Sequence, residues 1–345
     1  MKLMVDDAVW GFNKIFSEFG EVVTLPGRDI SRESLLDCDM LIVRSRTQVN
    51  QELLEGTQIS FVGSTVAGLD HIDESYLYKN NIAFSSAQGC NANAVAEYVI
   101  SALANLAHDY CFNLTEKSLG IIGVGNVGRR LNFKARQLGM TTLLNDPPRE
   151  EKEGADGYVS LENALSADIV SFHTPLTNNG PYPTHNLLGS QNFNLITEDT
   201  ILINAARGGI IDEAIWETIN TKANIIDCWE NEPSINRTLQ KSAYWSTPHI
   251  AGHSIDAKFM GSFMIYKELC KFTQKPMNSE VETLINRESM VIEEKTLHAT
   301  LNSIYSFKDD DEVISDISKF EDYRRNYPER FEWHHFKTQF DIPRK

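Results

Sequence analysis

Cysteine is scarce and scattered in this chain. The five residues Cys38, Cys90, Cys111, Cys228 and Cys270 are odd in number and form no C-x-x-C pair, which excludes a disulfide framework and a zinc site of paired thiolates and fits a reducing compartment. Positive charge is in deficit too: 32 Lys and Arg face 48 Asp and Glu, a formal net charge of -16. Such a surface repels DNA, RNA and anionic membrane, so an anionic small molecule needs its own local basic residues. Long hydrophobic runs are missing. The most apolar helical stretch, Val95 to Ala107, is broken by Glu97 and is too short to cross a bilayer. Lys2-Leu3-Met4-Val5 followed by Asp6-Asp7 lacks the basic region and apolar core of an export signal. The expectation is a cytoplasmic protein with small-molecule partners, no nucleic acid, no membrane and no metal.

At 345 residues and 41% hydrophobic content, the chain has material for two or three domains with proper cores. Apolar runs alternate with helical patterns from the start: Leu3–Val5, a helix from about Val9 to Phe19, Val22–Thr24, Met40–Val43, the run beginning at Ile59, and Ile82–Phe84. Alternation of this kind predicts parallel sheets covered by helices. A long helix, Ala94 to Ala107, is read as the bridge to a second such region, and a later helix, Ile255 to Leu269, as the return to the first.

That second region opens with the strongest motif. Leu119 to Ile122 is a short apolar run, Gly123, Gly125 and Gly128 are spaced G-x-G-x-x-G, and Leu131, Ala135 and Leu138 continue as a helix. Strand, glycine turn and helix together describe a dinucleotide site. Gly123 permits the turn, Gly125 admits a pyrophosphate, Gly128 lets helix and strand pack, and the helix N-terminus faces the phosphates. The next strand, Thr141 to Leu144, ends at Asn145-Asp146. An acidic side chain there accepts from a ribose 2'-hydroxyl and repels a 2'-phosphate, which favours NAD over NADP. Later strands, Ile169–Phe172, Thr200–Asn204 and Asn224–Cys228, run into His173-Thr174-Pro175, Ala205-Ala206-Arg207-Gly208-Gly209 and Trp229-Glu230-Asn231-Glu232-Pro233.

Ligands sit beyond the carboxyl ends of strands in open parallel sheets. Arg207, Glu232 and His249 stand in or near such positions. Oxidising a 2-hydroxy acid needs a cation for the carboxylate and a base for the hydroxyl proton; a guanidinium suits the first, an imidazole the second, and a carboxylate beside the imidazole favours its charged form. Singly, each residue also reads as a surface ion pair, turn polarity or a satisfied loop histidine. Arg44-Ser45-Arg46-Thr47, after the third strand, reads either as an anion-holding loop or as a solvated basic one. Gly63 to Gly68 lets backbone approach a ligand, while His71 reads as structural. Lys308 to Glu312 reads as a solvated loop, and Phe320, Tyr323, Tyr327, Phe331, Trp333 and Phe336 as core or subunit interface without chemistry.

In order, the Gly63–Asp73 loop, the glycine fingerprint, His173-Thr174-Pro175-Leu176 and the segments of Arg207, Glu232 and His249 resemble the D-isomer-specific 2-hydroxyacid dehydrogenases over roughly residues 1–270. Met40 to Ser45, Gly89-Cys90-Asn91-Ala92, Asp146-Pro147-Pro148-Arg149, Gly180-Pro181-Tyr182 and Trp229 to Pro233 narrow the resemblance to a branch that oxidises a phosphorylated 2-hydroxy acid for vitamin B6 synthesis. The resemblance implies an α/β fold of two doubly wound parallel-sheet domains, a Rossmann-type NAD domain at 94–255 and a flavodoxin-like substrate domain at 1–93 with 256–279, plus a small C-terminal α+β region, 280–345, that makes a homodimer. Substrate and NAD would meet between the domains. Arg207, Glu232 and His249 are the implied catalytic set. NAD contacts fall to Gly123, Gly125, Asn126, Val127, Gly128, Asp146, Thr174, Ala205, Asp227 and Gly252, and substrate contacts to Arg44, Ser45, Thr65 and His253. His253 stands where the family usually has a tyrosine, and Val66 where a threonine is common. Another 2-hydroxyacid dehydrogenase, or an NAD-sensing co-regulator without turnover, are the alternative readings.

Overall fold

The structure is a computed structural model that describes residues 1–344. It divides into two compact units: Met1–Asn91 with His253–Glu288, and Ala92–Gly252 with the residues from Ser289 onward. The expected α/β class is borne out in both.

The first unit holds strands β1 (Lys2–Asp6), β2 (Glu21–Leu25), β3 (Met40–Val43), β4 (Phe61–Ser64) and β5 (Ala83–Ser86), all parallel in the order β2-β1-β3-β4-β5. This is the flavodoxin-like order, with its reversal between β1 and β3. Both faces are covered, which is why the strands read as continuous apolar runs. Leu3, Val5, Met40, Ile42 and Phe61 face Phe259, Phe263, Tyr266 and Leu269 of the helix Ile255–Thr273. Met4, Leu41, Val43 and Val62 face Leu35, Leu54 and Leu77 on the other side. The helix expected over Val9 to Phe19 is shorter: Gly11 adopts a left-handed φ of 65°, an α-helix covers Phe12–Phe16, and a tighter turn, Ser17–Phe19, finishes it.

The second unit holds β6 (Ser118–Ile122), β7 (Thr141–Asn145), β8 (Ile169–Phe172), β9 (Ile201–Asn204), β10 (Ala223–Ile226) and β11 (Trp245–Ser246), parallel in the order β11-β10-β9-β8-β6-β7. Strand order reverses between β6 and β8, so the crevice for a ligand lies past those two strand ends. The helix Ala92–Asp109 belongs to this unit and is buried from Ala94 to Leu106. Glu97, the charge that breaks its apolar run, is satisfied inside by the Asn93 side chain at 2.8 Å and the Trp333 backbone N–H at 3.1 Å.

The residues after Ser289 form β12 (Met290–Ile292) and β13 (Phe336–Thr338), paired in parallel, with short helices between them. Leu301, Phe307, Tyr327 and Trp333 join the core above Ile121, Ile203 and Ile225, while Ile314 and Phe320 join the core beside Trp216, Trp229 and Leu239. Each large apolar side chain buried this way contributes about 1.5–3 kcal/mol, so the region is anchored on the sheet. The charge run Lys308 to Glu312 is a correction to the solvated-loop expectation. It forms the helix Lys308–Ile314 and buries Asp310, whose carboxylate accepts from the hydroxyls of Tyr305, of Tyr323 at 2.6 Å and of Tyr327 at 2.9 Å. Asp311 accepts the Ser246 N–H at 2.7 Å. Spacing alone cannot reveal three phenol donors that arrive from elsewhere in the chain.

The near ends of β6 and β8 are tied by Asp168, which accepts the Ser118 hydroxyl at 2.6 Å, the Ser118 N–H at 2.9 Å and the Lys117 ammonium at 3.0 Å. Partial burial would raise this carboxyl, but the Ser118 and Lys117 contacts outweigh it and hold it at about 2, below the ordinary 3.8. A depressed carboxyl contributes stability above its unfolded value and loses it as pH falls through its folded value. Asp168→Asn is therefore expected to lower stability at neutral pH and to flatten its decline between about pH 4 and pH 2. Denaturant unfolding across that range checks this; parallel curves for the two proteins would disprove it.

Candidate active site

The glycine loop follows β6 directly. Gly123 has φ of 89°, and a side chain there would meet the backbone of His173 and Thr174 at 2.8 Å. A Cβ on Gly128 would lie 2.1 Å from the Gly123 carbonyl oxygen, so the helix Asn126–Gln137 rests its first turn on the loop. Gly125 has open space where its side chain would be. Against Gly123, the Thr174 hydroxyl is buried without a hydrogen-bond partner. A bare backbone, an amide-lined helix start and an unanswered hydroxyl at the switch point fit a dinucleotide. Asp146 accepts the Val124 N–H at 2.8 Å and caps the helix Pro147–Glu153. A carboxylate has about four acceptor positions, which leaves capacity for a ribose hydroxyl.

His173 shares this crevice. Its Nε2 pairs with the Ser171 hydroxyl at 2.9 Å, and burial pushes the imidazole down to about 3, so it stays neutral.

Beyond β9, Asn204 organises the arginine loop. Its amide donates to the Arg207 carbonyl at 2.9 Å and the Cys228 carbonyl at 3.3 Å, and its oxygen accepts the Ala206 N–H at 3.2 Å. Arg207 itself donates to the Ala206 carbonyl at 2.8 Å. Only glycine fits next, since a Cβ on Gly208 would sit 2.1 Å from the Trp229 carbonyl group. The loop bearing Arg207 thus lies against the loop bearing Glu232.

His249 Nδ1 lies 2.9 and 3.1 Å from the two carboxylate oxygens of Glu232. Glu232 also accepts the Trp229 N–H at 2.9 Å. Burial would raise this carboxyl, but the charge and hydrogen bond of His249, the charge of Arg324 and the Trp229 N–H together hold it below the usual range. Asp227, expected at the cofactor, spends its buried carboxylate on the histidine loop: it accepts the Thr247 hydroxyl at 2.7 Å, the Ile250 N–H at 2.7 Å and the Ala251 N–H at 3.1 Å. The Cys228 thiol, driven up by burial, has its sulfur within 4.8 Å of the Glu232 and His249 ligand atoms.

The catalytic and NAD candidates all belong to the second unit, whereas Arg44, Ser45, Thr65 and His253 belong to the first. There β3 and β4 are neighbours in register, Val43 beside Ser64, so Arg44-Ser45 and Thr65 leave from adjacent strand ends. Ser45 is exposed; Thr65 is buried and donates to the Val43 carbonyl at 3.3 Å. A Cβ on Gly261 would strike the Thr65 carbonyl at 2.2 Å, so the helix Ile255–Thr273 presses on this loop. His71 pairs with the Ser64 hydroxyl at 3.2 Å inside the unit.

Residues 95–251 match the family model for the D-isomer specific 2-hydroxyacid dehydrogenase, NAD binding domain. The chain is 56% identical over 343 residues to the erythronate-4-phosphate dehydrogenase of Ruthia magnifica subsp. Calyptogena magnifica, which spans 99% of both proteins. The chain belongs to the erythronate-4-phosphate dehydrogenase family. It is also 50% identical to the protein of that name from Hydrogenovibrio crunogenus, over 96% of this chain and 92% of the relative. An NAD+-bound 3-phosphoglycerate dehydrogenase from Entamoeba histolytica superposes with a TM-score of 0.67 at 24% identity, over 83% of this chain and 99% of that one; this likeness concerns the fold.

Sequence reasoning did not single out Asn204, Glu213 or Arg324. Asn204 had a local signal, a polar residue closing an apolar strand. Glu213 caps the Glu232 loop by accepting the Glu230 N–H at 2.7 Å, and burial with neighbouring carboxylates pushes it up to about 7. Arg324 had no signal, because its partner is Glu232, far off in sequence.

For the cofactor pocket, Asp146→Ala is expected to cost about 0.5–2 kcal/mol through the lost helix cap and to narrow the preference for NAD over NADP. The ratio of kcat/KM for the two coenzymes, with thermal unfolding alongside, measures both. An unchanged ratio would mean that Asp146 does not face the adenosine ribose.

Proposed function

We propose that this protein catalyses the NAD-dependent oxidation of 4-phospho-D-erythronate to 2-oxo-3-hydroxy-4-phosphobutanoate, a step of pyridoxal phosphate biosynthesis. The reading is carried by the His249–Glu232 pair at 2.9 Å, held beyond the strand ends of a sheet whose glycine loop fits a dinucleotide, in a chain of this family. NAD, when bound, supplies the acceptor for the hydride that leaves C2.

Carboxylate oxygens only accept, so His249 Nδ1 carries a proton towards Glu232 and Nε2 offers its lone pair. Nε2 takes the C2 hydroxyl proton, and Glu232 stabilises the imidazolium that forms. Arg207 holds the substrate carboxylate with its planar fork, a task that an ammonium performs less well. Arg44, Ser45 and Thr65 hold the distal phosphate, and His253 donates a hydrogen bond to the substrate. Gly123, Gly125, Asn126, Val127 and Gly128 receive the pyrophosphate, Asp146 the ribose, Thr174, Ala205 and Gly252 complete the coenzyme contacts, and Asp227 holds the loop that leads to Gly252. The protein acts as a homodimer joined through residues 280–345, in the cytoplasm; five free cysteines fit that compartment.

The deciding assay follows NADH absorbance with 4-phosphoerythronate, 3-phosphoglycerate and glycerate. Turnover fastest on 4-phosphoerythronate is expected, lowered about 100- to 10,000-fold in His249→Ala. Faster turnover of a non-phosphorylated acid, or NAD binding without turnover of any acid, would overturn the assignment. In sedimentation, the full chain is expected at twice the mass of one chain; a single-chain mass would refute the dimer.

A further inference from the structure

The C-terminal region has contacts that subunit association does not require. Arg324, on the helix Phe320–Arg325, brings its guanidinium Nη1 to 3.7 Å from Glu232 Oε2, the same oxygen that lies 2.9 Å from His249 Nδ1. Both side chains of this ion pair are mostly shielded, at 23% and 19% exposure. The Arg324 guanidinium lies over the Phe320 ring, its carbon 5.6 Å from the centroid, and Phe320 is fully buried. The side chain is therefore held in place rather than free in solvent. A second arginine of this region reaches the other loop of the pair: Arg330, buried, donates to the Ala251 carbonyl and lies 4.7 Å over the Tyr305 ring. The region is fastened alongside by Arg237, which donates to the carbonyls of Ile314 at 2.9 Å and Ser315 at 2.7 Å.

We propose that Arg324 is a positioning residue for the Glu232–His249 pair, so that the C-terminal region completes the proton-transfer site. The physical argument is competition for one carboxylate. A carboxylate beside an imidazole favours its charged form. A fixed cation on the same oxygen, 3.7 Å away, takes up part of the carboxylate's field and opposes an imidazolium beside it. The other ionisable groups around the pair are Glu213 at the start of the helix Glu213–Trp216, Glu230 on the Glu232 loop, Asp227 and the neutral Cys228 thiol at the strand end, and Arg207.

The inference rests on the proposed role of His249 as base, and the test separates the two. Proton NMR of the full-length protein with 13C-labelled histidine, assigned with His249→Asn, reads the His249 titration without any substrate. Arg324→Met is expected to raise its midpoint by about half a pH unit or more, and Arg324→Lys to restore most of the shift, since the 3.7 Å contact is one of charge. Arg324→Gln gives the same reading if the methionine variant fails to fold. In kinetics with 4-phosphoerythronate, the acidic limb of kcat/KM moves up with the midpoint while KM for NAD stays fixed. A midpoint and a profile that match the wild type in a folded, uncharged variant would overturn the proposal. A shifted midpoint without wild-type turnover of that substrate would instead reject the functional reading and leave the Arg324 coupling intact.

Discussion

The turn that carries His249 depends on one buried carboxylate. Asp227 holds the segment Thr247 to Ala251 through a hydroxyl and two backbone N–H groups, and within that segment His249 adopts a left-handed φ of 55°. Such a backbone costs a non-glycine residue of the order of 1–3 kcal/mol and persists only where the surroundings determine it. Charge-assisted bonds to Asp227, with the Trp229 indole donating to the Thr247 carbonyl at 3.0 Å, supply that determination. The result is an imidazole whose Nδ1 meets Glu232 squarely. Loss of the Asp227 bonds would release the turn first and the imidazole with it.

Close backbone approach is the second constraint. Gly123, Gly128 and Gly208 each stand where a Cβ would collide with backbone of a neighbouring segment. In each case the clash is with main chain, which cannot swing aside as a flexible side chain would. Two of them shape the coenzyme crevice and the third sets the Arg207 loop on the Glu232 loop. The glycine loop, the Arg207 loop and the His249–Glu232 pair thereby share one rigid frame built past the ends of β6, β8, β9 and β10.

Much of this was legible in the residues because it is local. The glycine loop, its strand and its helix occupy one stretch, and the sheets announce themselves as apolar runs of four or five residues with small or polar stops. Arg207, Glu232 and His249 could be named because each closes such a stop. What escaped reading depends on partners brought in from afar. Asp310 looked solvated in Lys308 to Glu312, yet it is buried because Tyr305, Tyr323 and Tyr327 satisfy it. Arg324 and Arg330 carried no local signal, and only the fold sets them beside Glu232 and Ala251. Gly11 ended the reading of a longer first helix by a single positive φ.

The first unit is discontinuous: its five strands lie before Ala92, while the helix that covers one face of their sheet, Ile255–Thr273, comes after Gly252. During synthesis Val5, Ile42 and Phe61 have no cover from Phe259, Phe263 and Leu269 until all six strands of the second sheet have been made. Contacts so distant along the chain form late and slowly, and an apolar sheet face left open meanwhile is a place for aggregation or for a chaperone to bind. The strands that are translated first are thus among the last to be covered.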